Sequence, residues 1–114
     1  MKIKYSPESI EDLQRVVEFV ENKNPYAARR IAIDLQEGVD RLKQFPELGL
    51  PVLKATDSEK IRDLYVSNYT LRYLITEEIS YVLRVWHSKE NEKKFITYQT
   101  DRTAKNAAVF WGVS

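Results

Sequence analysis

Polar and apolar residues alternate in Lys2-Ile3-Lys4-Tyr5, the period of a short strand. Ser6-Pro7-Glu8 then supplies an N-cap oxygen, a proline for the first helical position and a first-turn acid, so a helix starts there. Ile10, Leu13, Val16, Val17 and Val20 recur at helical spacing, with Glu11, Asp12, Arg15, Glu18 and Glu21 on the remaining face. Asn24-Pro25 repeats the start signal, and Ala28, Ile31, Ala32, Leu35, Val39, Leu42 and Phe45 form a second stripe. The connection is short enough to make the two helices an antiparallel hairpin. Pro46 ends the second helix, because it cannot continue the helix and pushes Phe45 toward extended geometry. Gly38, inside that stripe, is read as a mark of close helix approach.

From Leu50 to Lys60 no period is visible, and Thr56-Asp57-Ser58-Glu59-Lys60 is polar enough for an exposed, mobile loop. Three strand-like runs follow, Ile61 to Val66, Tyr69 to Thr76 and Ile79 to Trp86, rich in β-branched and aromatic residues. Tyr69, Leu71, Tyr73 and Ile75 share one face of the middle run, and Ile79, Tyr81, Leu83 and Val85 one face of the last. Both sets reach one core only if paired numbers sum to an even value, which a three-residue loop Thr76-Glu77-Glu78 satisfies. In that register Arg72 lies opposite Val82 or Arg84.

The expected fold is α+β, in the order β-α-α-β-β-β: an N-terminal strand and an α-helical hairpin packed on one face of an antiparallel sheet. Two helices cover one face only, so the other should be partly open. On it would stand Arg72, Arg84 and Trp86, either as an interaction surface or as solvated arginines with a trimming tryptophan.

Composition narrows the class. With 114 residues the chain suits one domain, and 43% hydrophobic with 31% charged residues is the balance of a folded globular protein. It has no cysteine, hence no disulfide framework or thiolate site, which fits a reducing cytosol, and no apolar run long enough to cross a bilayer. The expectation is a cytoplasmic protein. A net charge of +1 argues against strong non-specific nucleic-acid binding, although residues 61–114 hold 8 Lys/Arg against 6 Asp/Glu where residues 1–60 hold 10 against 11. An anionic partner would meet the second half.

His87, the single histidine, follows a strand and is either a general acid or base or simply a polar strand end. One histidine without cysteine makes zinc improbable on chemical grounds, and nothing indicates an organic cofactor. Arg62, Arg72, Arg84 and Lys89 have the charge to neutralise a reacting phosphate, or to dock carboxylates. Arg29-Arg30 reads as a solvated helix face and Glu77-Glu78 as a loop tip. The end of the chain turns from polar to apolar at Ala107-Ala108-Val109-Phe110-Trp111-Gly112-Val113, a docking segment, a packed extension or an expression scar.

Four phrases, in their order and spacing, are similar to the ParE/RelE superfamily of toxins, the plasmid-stabilisation proteins. They are Tyr5-Ser6-Pro7-Glu8-Ser9-Ile10-Glu11-Asp12-Leu13, Asn24-Pro25-Tyr26-Ala27-Ala28-Arg29-Arg30-Ile31, Phe45-Pro46-Glu47-Leu48-Gly49, and Ile61-Arg62 through Val82-Leu83-Arg84-Val85-Trp86-His87. The resemblance covers about residues 3–90 and implies a toxin domain over 1–95 with a C-terminal extension over 96–114.

The resemblance implies a toxin of a type II toxin-antitoxin pair, with one of two mechanisms. RelE-like members cut messenger RNA on the ribosome; ParE-like members inhibit DNA gyrase without being enzymes. RelE-like toxins commonly place an arginine after the Gly-Tyr of the middle strand, where Asn68-Tyr69 here is followed by Thr70, and a tyrosine beyond the last strand, where this chain has Phe95. These departures favour the ParE-like branch. The resemblance then implies a gyrase inhibitor, in a toxin dimer or a hetero-oligomer with its antitoxin, neutralised by a ParD-like antitoxin whose disordered C-terminal segment folds over the hairpin and sheet. On that reading Arg72, Arg84, Trp86, His87 and Lys89 form a target-binding edge. The alternatives are a ribosome-dependent endoribonuclease using Arg62, Arg72, Arg84 and His87, and an inactive antitoxin-binding module.

Overall fold

In the computed structural model, which describes residues 1–90, strand β1 (Lys2–Tyr5) leads into helices α1 (Pro7–Glu21) and α2 (Pro25–Gln44). Strands β2 (Leu50–Pro51), β3 (Ile61–Val66), β4 (Tyr69–Ile75) and β5 (Ile79–His87) follow. Both helices start where the punctuation places them. The Ser6 hydroxyl accepts the Ser9 N–H at 2.9 Å, and the Asn24 side chain accepts the N–H groups of Tyr26 and Ala27 at 3.1 Å each. Each cap satisfies donors that the first helical turn leaves without partners.

The five strands lie in the order β1-β5-β4-β3-β2. The β3, β4 and β5 meander is antiparallel as expected, but β1 runs parallel to β5, so the sheet is mixed. Val16, Leu35, Val39 and Leu42 of the helices bury against Leu64, Val66, Tyr69, Leu71, Tyr73, Val82 and Val85. Gly38 does mark a close approach, but to the sheet: a Cβ there would stand 2.9 Å from Val66 Cγ2 and 3.3 Å from Leu64 Cδ2.

The hairpin register differs from the expected one. Thr76 and Ile79 pair across a two-residue Glu77-Glu78 tip, the Thr76 N–H donating to the Ile79 carbonyl at 2.9 Å. Near the tip the paired numbers therefore sum to an odd value, as in Tyr73 opposite Val82. A bulge then takes up Leu83 and restores the even sum, so Arg72 lies opposite Arg84 and Leu71 opposite Val85. In consequence Val82 and Val85 both point to the helices, while Tyr81 and Leu83 turn away and join Ile61, Leu74 and Val52 in a second cluster.

The stretch after Leu50 is more than an exposed loop. Leu50 and Pro51 pair with Asp63 and Arg62, and Val52 and Ala55 pack on the face away from the helices. Val52 and Ala55 thus cover one end of that face, the one expected to be partly open. The C-terminal extension 96–114 and the end of the 1–95 domain lie outside the described residues.

Candidate functional site

Strand β5 is longer than its neighbour β1, which pairs only with Ile79 to Val82. Beyond Val82 the edge of β5 would show bare N–H and C=O groups, a costly state for a buried backbone. Helix α1 and its N-cap supply the partners. The Ser6 hydroxyl donates to the Leu83 carbonyl at 2.8 Å, an Asp12 oxygen accepts the Val85 N–H at 2.9 Å, and the Arg15 guanidinium donates to the Val85 carbonyl at 3.2 Å. This requirement rotates α1 away from the simple amphipathic reading. Ser9 and Asp12 are buried beside Val16, whereas Ile10 is 42% exposed.

Asp12 is the hub of this edge. Arg84 donates to both of its oxygens, through Nε at 2.8 Å and a terminal nitrogen at 3.0 Å, and Arg15 adds a third guanidinium contact at 2.7 Å. The Arg15 guanidinium is opposed by partial burial, but Asp12 and Glu90 outweigh this and raise its pKa above the ordinary arginine value.

Arg72 is fully buried. Its Nε and a terminal nitrogen donate to the two oxygens of Asp63, directly opposite on β3, at 2.8 and 2.9 Å. Its guanidinium carbon also lies 5.0 Å from the centre of the Trp86 ring, and Trp86 is itself only 5% exposed. Neither residue stands on an open face, which corrects the exposed Arg72, Arg84 and Trp86 patch expected from the sequence. Arg84 keeps partial exposure, 22% of its side chain, but is turned toward Asp12.

Arg62 belongs to the other side of the sheet. Its alternation with Leu64 and its pairing with Tyr73 place it on the helix face, where it donates to the carbonyls of Glu47, Gly49 and Glu59 and meets the Glu59 carboxylate. There it pins the chain that leaves α2. Tyr73 serves the same corner: its hydroxyl donates to the Pro46 carbonyl at 2.6 Å and accepts the Gly49 N–H at 2.9 Å.

His87 pairs with Tyr69 and so also lies on the helix face. The rings meet edge to face, with centroids 5.1 Å apart. The His87 Nδ1 accepts the Lys89 N–H at 3.0 Å, so that lone pair is engaged in the turn after β5. The sheet therefore separates Arg62 and His87 from Arg72 and Arg84, and the four do not converge on one phosphate-sized site.

What does converge is a groove of about 550 Å³ between the C-terminal half of α1 and the end of β5. Val16, Phe19 and Val20 wall one side, Tyr69 and His87 the other, and Arg15, Lys23, Lys89 and Glu90 stand around the mouth. Of the residues singled out in the sequence, His87 and Lys89 are in it. Phe19 and Lys23 were missed; the signal was an aromatic on the polar side of the α1 pattern. Burial, then the Glu90 charge, raise the Tyr69 phenol above its ordinary pKa. Among the described residues no group of His, Cys, Asp and Glu could hold a metal ion, and no helix is long and apolar enough to cross a membrane.

The model of the ParE toxin of the type II toxin-antitoxin system parDE matches residues 3–92. The chain belongs to the ParE toxin family. This ParE-family chain is also similar to Toxin RelE2 of Caulobacter vibrioides, 28% identical over 80 residues, or 70% of this chain and 86% of that protein. Among solved structures it is similar to a chain of the chromosomal ParDE toxin-antitoxin system from P. aeruginosa, with a TM-score of 0.62 and 18% identity over 76% of this chain and 95% of that one. At that identity the likeness speaks for the fold alone: strand, two helices and a mixed sheet.

Proposed function

We propose that this ParE-family toxin acts by docking on DNA gyrase rather than by cutting RNA, and that a ParD-like antitoxin neutralises it. The observation that carries the reading is the commitment of the arginines. Arg72 is closed by Asp63, Arg84 is turned onto Asp12, and Arg62 is spent on backbone carbonyls and Glu59. A ribonuclease needs cations aimed at a developing phosphate charge, with a base and an acid beside them. Here the cations hold the fold, on opposite faces of the sheet, and the Nδ1 of the one histidine accepts a backbone N–H.

The antitoxin enters through the family, the toxins of type II toxin-antitoxin systems. Site of action is the cytoplasm, where gyrase and its DNA are. Expression in growing cells tests both parts at once. The reading predicts growth arrest, loss of negative supercoiling in a reporter plasmid and intact messages, all relieved by a co-expressed antitoxin. Cleaved messages with normal plasmid topology would favour the ribonuclease instead.

A further inference from the structure

At the other end of the sheet from β1 and β5, the β2 edge carries a second groove, of about 300 Å³. Leu48, Leu50, Leu64, Tyr65 and Arg41 wall it. Leu48, Leu50 and Tyr65 are 44%, 62% and 60% exposed, so they give little to the core. They are nevertheless held in place. The backbone from Pro46 to Gly49 makes four hydrogen bonds with the Tyr73 hydroxyl and the Arg62 guanidinium, both carried by the sheet. Apolar side chains displayed around a concavity on a pinned backbone form a surface prepared for another molecule, because little ordering is left to the binding step.

The charges say which kind. Asp63 gives both carboxylate oxygens to Arg72, and Glu47 is not among the walls, its charge acting on Tyr73. Arg41 is exposed and makes no ion pair among the described residues. One uncommitted cation is too few to hold a run of phosphates, but it complements a carboxylate beside an apolar residue. A second copy of the chain fits less well, because a two-fold contact presents the same patch twice and brings two Arg41 cations together with no uncommitted wall carboxylate.

We propose that this groove is where the toxin docks on its target protein, taking an apolar side chain between Leu48, Leu50 and Tyr65 and a neighbouring carboxylate onto Arg41. This rests on the target-docking reading above and adds its contact surface. The edge expected at Arg72, Arg84 and Trp86 does not serve, since Arg72 and Trp86 are buried. The apolar contact would carry most of the affinity, and Arg41 would set orientation and salt dependence.

The test uses the full-length protein and purified gyrase, with direct binding and supercoiling as readouts. Arg41→Glu should weaken binding by about tenfold and flatten its salt dependence. Leu50→Asp should weaken it by about tenfold or more, while Leu50→Met should bind as the wild type does. Both side chains are exposed, so all three variants should keep the wild-type melting temperature, and an antitoxin that binds the wild type should bind them unchanged. Arg41→Glu and Leu50→Asp variants as potent as the wild type, or a loss seen only alongside earlier melting, would overturn the proposal. So would a wild-type dimer that Leu50→Asp splits, or oligouridine binding that Arg41→Glu abolishes. Growth arrest separates the groove from the gyrase reading. If the wild type arrests cells but leaves purified gyrase untouched, the gyrase reading fails. Folded variants that then lose the arrest keep the groove as the docking face for a different protein, and variants that still arrest cells sink it as well.

Discussion

Arg84 grips both oxygens of Asp12, at 2.8 and 3.0 Å, and so ties the last strand to the first helix across almost the whole described chain. The same carboxylate accepts the Val85 N–H and an Arg15 nitrogen. Its removal leaves a strand-edge donor and a partly buried guanidinium without their acceptor.

Asp12→Ala should therefore cost about 3–5 kcal/mol in urea unfolding, the range for breaking a buried pair from one side. Arg15→Ala, at a side chain 41% exposed, should cost only about 0–1 kcal/mol. Equal losses would mean that Asp12 is not the hub.

The Arg72 and Asp63 pair offers a second contrast. Arg72→Ala should lose about 3–5 kcal/mol, because a buried carboxylate is left alone, whereas Arg72→Met combined with Asp63→Leu should come within about 1 kcal/mol of the wild type or exceed it. The folded double variant should still arrest growth. A stable but harmless double variant would give Arg72 a direct part in action on the target.

Gly49 sits where no side chain fits. A Cβ there would stand 2.8 Å from the Asp63 carbonyl oxygen and 2.8 Å from the Tyr73 ring and hydroxyl. Gly49→Ala should destabilise by about 1–3 kcal/mol, read from the urea midpoint, since backbone and a hydrogen-bonded ring must both give way.

Alkaline pH should unfold the protein through its buried phenols. Burial raises Tyr73, against the opposing effects of the Gly49 hydrogen bond and Arg62; it also raises Tyr5, with Asp40 adding to it, and Tyr69, with Glu90 adding to it. The unfolded chain, with tyrosine near about pH 10, then releases these protons first. Stability from the three groups should be fully present below about pH 10 and fall as pH rises through their folded values. The tyrosinate absorbance of these three phenols should develop together with unfolding, and Tyr73→Phe should remove one of the late-titrating groups.

Much of the fold was legible because its signals are local. Ser6-Pro7 and Asn24-Pro25 start helices through their own caps, and strand runs such as Ile61 to Val66 show themselves by composition. The parts that were not legible depend on distant partners. The bulge at Leu83 changes parity in mid-strand, so Val82 replaced Leu83 on the helix face. Parallel pairing of β1 left half of β5 uncovered, and that need, unseen in the α1 pattern, buried Asp12. The arginines were legible as a set but not their acids, Asp12 and Asp63, which the chain brings from α1 and β3. Phe19 and Lys23 were overlooked because a helix face reads as solvated until the neighbouring strand end is placed.

Docking on gyrase without RNA chemistry can be measured as supercoiling of relaxed plasmid by purified gyrase with the purified protein present. Dose-dependent inhibition that added antitoxin reverses is the expected result. Undiminished supercoiling, with message cleavage by the same preparation on translating ribosomes, would contradict it.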